Sequence, residues 1–440
     1  MTSSLRPLLL ALFLWIFYGL LVNGHDLKIY TLQHAGVEAL VERGTYDLQG
    51  SQTPELQNPG DIIYYADRKL AAKQPGQFTL GAIPYSVLRI LGFSYKQNYL
   101  LCSAIVSWFT TGIALALSAA VLLHLVGNVW GYSRSAALIT SLAMGLGQTG
   151  VAYVSVPHHD VIATFFLVLA FWGIERARLG ESNFSVLGGF GIGLSLWCSM
   201  LAAPTAVGLC IYAIFTLQKR SHFLAGVFAG LLPLFAYNFY YFGNPLISAN
   251  IAGGVRDTFF GISWPRFFIQ VQEYLGVGQV SLAKYSPIAF LGILAPVLCR
   301  QGLVSGLIGV PLLLLHGAYI FNIETIGHCQ YGPRYLLPVI PFLLLGVTTL
   351  WDHSTTWARR FVRGVLLIGL TSSIFINLLG AIGGTIYCDL PNWAVPAYLL
   401  KVSNEPRIFP TAALAASIGV ALLGSAAGLL LSRRVRLKSL

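Results

Sequence analysis

Three residues raise the chemical question: Asp26, Lys73 and Arg334. A carboxylate within hydrogen-bond reach of a hydroxyl acts as a general base, and an Arg–Lys pair holds a phosphate through charge-assisted hydrogen bonds. Tyr64, Tyr65, His159 and Tyr335 are secondary candidates for binding a donor or an acceptor. Asp26, His159 and Asp160 also offer oxygen and nitrogen donors for a divalent metal, although their spacing does not demand one. Each residue taken alone has an ordinary reading. An Asp at a helix end caps it, the His158–His159 pair sits at an interface, Arg334 snorkels to a head group, and Trp264, Tyr274, Tyr285, Tyr387 and Trp393 form an aromatic belt. No zinc spacing, phosphate-binding glycine loop or Ser-His-Asp signature occurs.

The elements that must carry these residues are apolar. Of 440 residues, 56% are hydrophobic and only 10% charged, which excludes an ordinary soluble domain. Runs long enough, or nearly long enough, to cross a bilayer recur throughout, so residues 1–440 read as one all-α integral membrane domain. The expected spans are 7–23, 99–126, 134–150, 160–175, 185–201, 203–217, 222–242, 287–299, 302–321, 335–351, 363–387 and 409–431. That gives about twelve transmembrane helices, with eleven or thirteen open because several runs are short.

Orientation follows from Lys and Arg in the short connections. With the amino terminus inside, the inner segments hold Arg6, Arg134, Arg176, Arg178, Lys219, Arg220, Arg300, Arg359, Arg360 and Arg363, and the basic tail 432–440 joins them. Less the inner acids Glu175, Glu181 and Asp352, these residues account for the whole net charge of +11, so the basic excess is topological and implies no nucleic acid. Both termini are then cytoplasmic. A cleaved signal peptide is the rival reading of the first segment, since Arg6 precedes an apolar run and a Val22-Asn23-Gly24 end.

The polar sequence falls on the outer side, in loops 24–98, 243–286, 322–334 and 388–408. Within the first loop, 27–43 and 76–91 have near-helical apolar spacing and read as interfacial helices, joined by a turn-rich, irregular tract. Cys102, Cys198, Cys210 and Cys299 read as buried hydrophobes, whereas Cys329 and Cys388 lie in outer loops where an oxidising compartment permits a disulfide. Thus Asp26, Lys73, His159 and Arg334 gather on one side of the membrane, at the level of a lipid phosphate.

At these residues the chain resembles a known family. HDLKIYTLQHAGVEALVERGTYDL, KQPGQFTLGAIPYSVLRILG, PHHDVIATFFLVLAFW and YGPRYLLPVIPFLLLG are similar, in order, to the signatures of the polytopic GT-C glycosyltransferases. The likeness is to the branch of protein O-mannosyltransferases and aminoarabinose transferases (glycosyltransferase family 39-like), and it fades in the last two spans. It implies a membrane enzyme, in a bacterial inner or plasma membrane, that takes a sugar from a polyprenyl-phosphate donor and delivers it to a lipid, glycan or protein acceptor on the outer face. The family's first-loop acidic base falls on Asp26, but the second acidic residue often beside it is Leu27 here, which leaves the acceptor class open.

The donor chemistry needs only one base. Phosphate leaves as a stabilised anion, so Asp26 would deprotonate the acceptor hydroxyl as it attacks the anomeric carbon with inversion, and Lys73 and Arg334 would hold the leaving phosphate. Two other classes compete. A transporter or flippase would place ionisable groups at the bilayer midplane and show internal repeats; the spans have almost no such charge and no repeat is evident, His124 and His316 being the nearest exceptions. A non-catalytic assembly protein would leave the ordered aspartate, Lys-Gln-Pro-Gly and Pro-Arg-Tyr elements without a reason.

Overall fold

The computed structural model describes residues 5–254, 263–298, 304–323, 330–353 and 359–385. The protein is mostly helical, and it is an integral membrane protein. Among the described residues, three helices are long and apolar enough to cross a bilayer: Tyr95–Val129, Arg220–Phe242 and Arg359–Gly383. Shorter apolar helices accompany them, including Arg134–Leu146, Phe184–Cys198 and Met200–Thr216. The expected span 409–431, the loop 388–408 and the tail 432–440 lie outside the described residues, as do Cys299, Cys329, Tyr387, Cys388 and Trp393.

Two expected spans are interrupted. The run 287–299 divides into helices Pro287–Gly292 and Ala295–Leu298, and 302–321 into Val304–Leu307 and Gly309–Ile320. Tertiary contact accounts for the sequence at the first of these. A Cβ on Gly292 would stand 2.0 Å from the Leu343 carbonyl oxygen, so the backbone of helix Ile340–His353 approaches where a side chain would otherwise lie.

Helices Phe184–Cys198 and Arg220–Phe242 pack closely on each other, and glycine spacing explains it. Gly189 and Gly193 on the first helix face Gly226 and Gly230 on the second, each pair four residues apart. Added Cβ atoms would meet the Phe223 carbonyl oxygen at 2.0 Å and the Gly230 carbonyl carbon at 2.5 Å. This is the small-residue packing by which helices associate in lipid, where no hydrophobic drive operates between them. Gly193→Ala is therefore expected to destabilise the protein by about 1–3 kcal/mol despite its better helix propensity. Gly364→Ala, at a helical glycine with nothing within 4 Å, is expected to stabilise by about 0.5–1 kcal/mol. Thermal unfolding of the two variants in detergent should move in opposite directions.

The region after the first helix, Leu5–Leu21, departs from the all-α expectation. Helices Gly24–Ile29 and Thr31–Arg43 stand where one was expected, and Gly76–Ile90 follows closely the range expected for the second. Gly36 lies against Phe78 and Gly81 against Val37, so helices Thr31–Arg43 and Gly76–Ile90 pack directly on each other. Between them is an antiparallel hairpin of Ile62–Tyr65 (β1) and Arg68–Ala71 (β2), with Ile63 opposite Leu70 and Tyr65 opposite Arg68. Its two-residue turn, Ala66-Asp67, has φ of 46° and 61°, the geometry of a type I′ turn. Ala-Asp is not the Asn-Gly or Asp-Gly that would announce such a turn, and this is why a turn-rich reading missed the strands. The hairpin is held by packing: Ile63 and Leu70 are buried with Tyr237, Tyr241 and Phe242 at the end of helix Arg220–Phe242.

Candidate active site

The hairpin brings Lys73 to its place. Asp61 immediately precedes β1 and Lys73 stands two residues beyond β2, and the Ala72 N–H donates to the Asp61 carbonyl at 2.8 Å, extending the ladder by one step. The two side chains then form an ion pair of 3.1 Å. Lys73 holds the Asp61 carboxyl below the usual carboxylate range, with Arg334 and His159 adding to the effect. After Lys73, Pro75 caps helix Gly76–Ile90 and Gly76 lies against the end of helix Phe184–Cys198. A Cβ there would come within 2.7 Å of both the Cys198 Sγ and the Trp197 carbonyl oxygen. The glycine of the Lys-Gln-Pro-Gly element is thus a contact requirement, and it sets Lys73 beside Ser199.

Arg334 is placed by a comparable device. Gly332 turns the chain at φ +63°, where a Cβ would meet Thr149 at 2.7 Å, and a short 3-10 turn, Arg334–Leu336, follows. Arg334 Nη2 donates to the Tyr335 hydroxyl at 2.9 Å, and the guanidinium lies 4.5 Å from the Tyr335 ring centre. The Tyr335 carbonyl is bound to His316 Nε2 at 2.7 Å, whose Nδ1 meets Thr205 at 3.0 Å. His316 is thereby a satisfied structural histidine.

Lys73, His159, Ser199, Arg334 and Tyr335 line one cavity of about 580 Å³. Much of the remaining wall is apolar and comes from helices Ala203–Thr216 and Gly309–Ile320, through Pro204, Val207 and Leu315. Cationic groups therefore meet an apolar groove. Asp160 is buried next to this wall; the Ser199 hydroxyl donates to its Oδ1 at 2.6 Å. A second cavity of about 490 Å³, along Leu80, Val87, Phe109 and Phe165, is apolar and presents no reactive group beyond the Thr110 hydroxyl.

Asp26 lies apart from that lining. It is fully buried in helix Gly24–Ile29, where Asn23 caps the helix by accepting the Asp26 N–H at 2.8 Å. Its carboxylate accepts from the Thr385 N–H at 2.8 Å and from Asn23 Nδ2 at 3.3 Å. Asn23 is itself anchored to Ser155 and to the Ala381 carbonyl. Burial raises the Asp26 carboxyl above the ordinary aspartate range, against the opposing pull of the Thr385 and Asn23 hydrogen bonds. Thr385 Oγ1 continues to the Tyr30 hydroxyl at 2.9 Å, and Tyr30 lies in the field of Arg334.

Of the residues singled out from sequence, Lys73, His159, Arg334 and Tyr335 share the cavity. Tyr64 and Tyr65 do not. Strand alternation turns Tyr64 outward, 69% exposed, and Tyr65 stacks edge-on against Phe242 at 5.4 Å. The expected donor set Asp26, His159 and Asp160 is not assembled either, because the Asp26 carboxylate is engaged by Asn23 and Thr385; His158 instead accompanies His159 and Asp160. Asp61 and Ser199 had been given no role. Asp61 stood among the polar residues of the first loop, but its pairing with Lys73 depends on the hairpin, and a serine at the end of an apolar run carries no distinguishing signal.

The helices, the hairpin and the cavity together give the chain the GT-C fold. ArnT from Cupriavidus metallidurans has this fold: in its crystal structure bound to undecaprenyl phosphate, the match has a TM-score of 0.54 and 17% identity, over 98% of this chain and 72% of that one. The apo structure of the same protein gives 0.52 and 16%, over 97% and 75%. At these identities the likeness is one of fold. No family model and no curated protein matches the chain.

Proposed function

We propose that the protein is a membrane glycosyltransferase that moves a sugar from a polyprenyl-phosphate donor to an acceptor hydroxyl on the extracytoplasmic side. One observation carries this reading: Lys73 and Arg334 line a cavity whose remaining wall is largely apolar, a combination suited to a lipid phosphate. The undecaprenyl phosphate bound to ArnT, a protein of the same fold, supports the same class of donor. The phosphate would sit between Lys73 and Arg334, and the prenyl chain would follow Pro204, Val207 and Leu315 toward the bilayer.

In the proposed step, an acceptor oxygen attacks the anomeric carbon while its proton passes to the Asp26 carboxylate. The anomeric carbon–oxygen bond breaks, and its electron pair stays on the phosphate, where Lys73 and Arg334 stabilise the charge. A carboxyl raised by burial is a better base than an ordinary aspartate, which favours Asp26 for this task. Its Thr385 contact would have to open to admit the acceptor.

Donor binding tests the reading. Native mass spectrometry of the purified protein with undecaprenyl phosphate should show a one-to-one complex. Lys73→Gln should weaken it at least about tenfold, since a hydrogen bond to a charged group contributes about 1.5–3 kcal/mol. Unchanged affinity would remove Lys73 from the phosphate site.

A further inference from the structure

Among the described residues, one compact group of metal-donor atoms stands beside the cavity. His158, His159 and Asp160 are all buried, and one donor atom from each lies within 4.8 Å of the others. His158 Nδ1 is 4.0 Å from Asp160 Oδ2, and His159 Nε2 is 3.5 Å from Asp160 Oδ1. Ligands at about 2.0–2.2 Å from one ion lie roughly 3–4.4 Å from each other, so the side chains are already near a coordinating spacing.

The hydrogen-bond inventory points the same way. Both ring nitrogens of His158, Nδ1 of His159 and Oδ2 of Asp160 are buried without a partner. Buried polar atoms are nearly always satisfied, and an orphan costs about 1–3 kcal/mol. Of these, His158 Nδ1 and Asp160 Oδ2 stand 4.0 Å apart and are the two that one ion between the residues would satisfy, while His159 would face it through Nε2.

The surroundings hold these residues in position. The His158 N–H donates to Thr111 Oγ1 at 2.7 Å, and the two imidazole rings lie parallel within 7° at 5.0 Å. The Ser199 hydroxyl occupies Asp160 Oδ1 and leaves Oδ2 open, the kind of outer contact that orients a ligating carboxylate. Lys73 and Arg334 oppose a cation nearby, but Asp61 offsets Lys73 through their 3.1 Å pair, and Asp160 supplies a negative charge within the group.

We propose that His158, His159 and Asp160 form a binding site for one divalent transition-metal ion, with its free coordination positions toward the cavity that His159 lines. Two imidazoles and one carboxylate suit Zn²⁺, Co²⁺ or Mn²⁺ better than Ca²⁺ or Mg²⁺, which take mainly oxygen ligands. Three protein ligands leave room for an oxygen from outside the protein. The inference stands on the donor geometry and does not require the transferase reading.

The test uses the full chain in detergent, stripped with a chelator and titrated with Co²⁺. One equivalent should bind with a visible d–d band. His158→Gln and Asp160→Asn should each weaken binding at least about tenfold. His222→Gln, at an exposed histidine on helix Arg220–Phe242, should leave binding unchanged. In the parent protein, Zn²⁺ should also raise the unfolding temperature by mass action, a readout that does not depend on the variants folding. Absence of stoichiometric Co²⁺ binding, absence of the Zn²⁺ shift in the parent, or variants that bind as the parent does would each overturn the site.

Discussion

Asp26→Asn is expected to abolish measurable sugar transfer, by about 10²–10⁴-fold, while leaving donor binding intact. The substitution keeps the shape of the side chain and an oxygen that can accept from the Thr385 N–H, giving up only the 3.3 Å contact from Asn23 Nδ2, and the backbone N–H that Asn23 caps is untouched, so the helix start should survive. What it removes is the proton acceptor. Single-turnover transfer from a polyprenyl-phosphate sugar, measured beside undecaprenyl phosphate binding, separates these effects. A variant that transfers at the parental rate would exclude Asp26 as the base. The pH dependence gives a second check. Asp26 works only as the carboxylate, and burial raises its pKa, so kcat/KM should fall as pH drops through a midpoint above the ordinary aspartate value of about 3.9. In Asp26→Asn that acid limb should be lost from any residual activity.

Arg334→Lys is expected to lower kcat by about 10²–10³-fold with a smaller change in KM. Lysine preserves the charge but not the planar fork, and it loses the ring contact and the hydrogen bond by which Tyr335 holds the guanidinium. If Arg334 stabilises charge developing on the leaving phosphate, the loss belongs to the transition state and appears in kcat. If it only anchors the ground-state lipid, KM should rise instead. An unchanged kcat and KM in this variant would remove Arg334 from the reaction altogether.

Residue by residue, the signals differ in how local they are. Lys73 and Arg334 were legible because each sits beside a glycine–proline element that the chain needs for its own packing: Gly76 against Trp197 and Cys198, and Gly332 against Thr149. Asp26 was legible as an acid just after an apolar run, with Asn23 as its cap. Asp61 was visible yet unassigned, since nothing local states that β1 and β2 close on each other. Tyr64 and Tyr65 stand outside the cavity for the converse reason. As tyrosines in a polar loop they suit ligand binding, but strand alternation and Phe242 direct them elsewhere.

Hydropathy and length by themselves determined that the chain is an apolar helical membrane protein, because transfer free energy accumulates along a run whatever its neighbours are. Which polar groups meet was decided only by tertiary structure. Lys73, Ser199 and Arg334 are separated by more than a hundred residues at each step, yet they line the same cavity. Their meeting depends on helix contacts as close as Gly193 on Gly230 and on a hairpin seated against Tyr237 and Tyr241. Such contacts are cooperative and long-range, and no window of the sequence contains both sides of them.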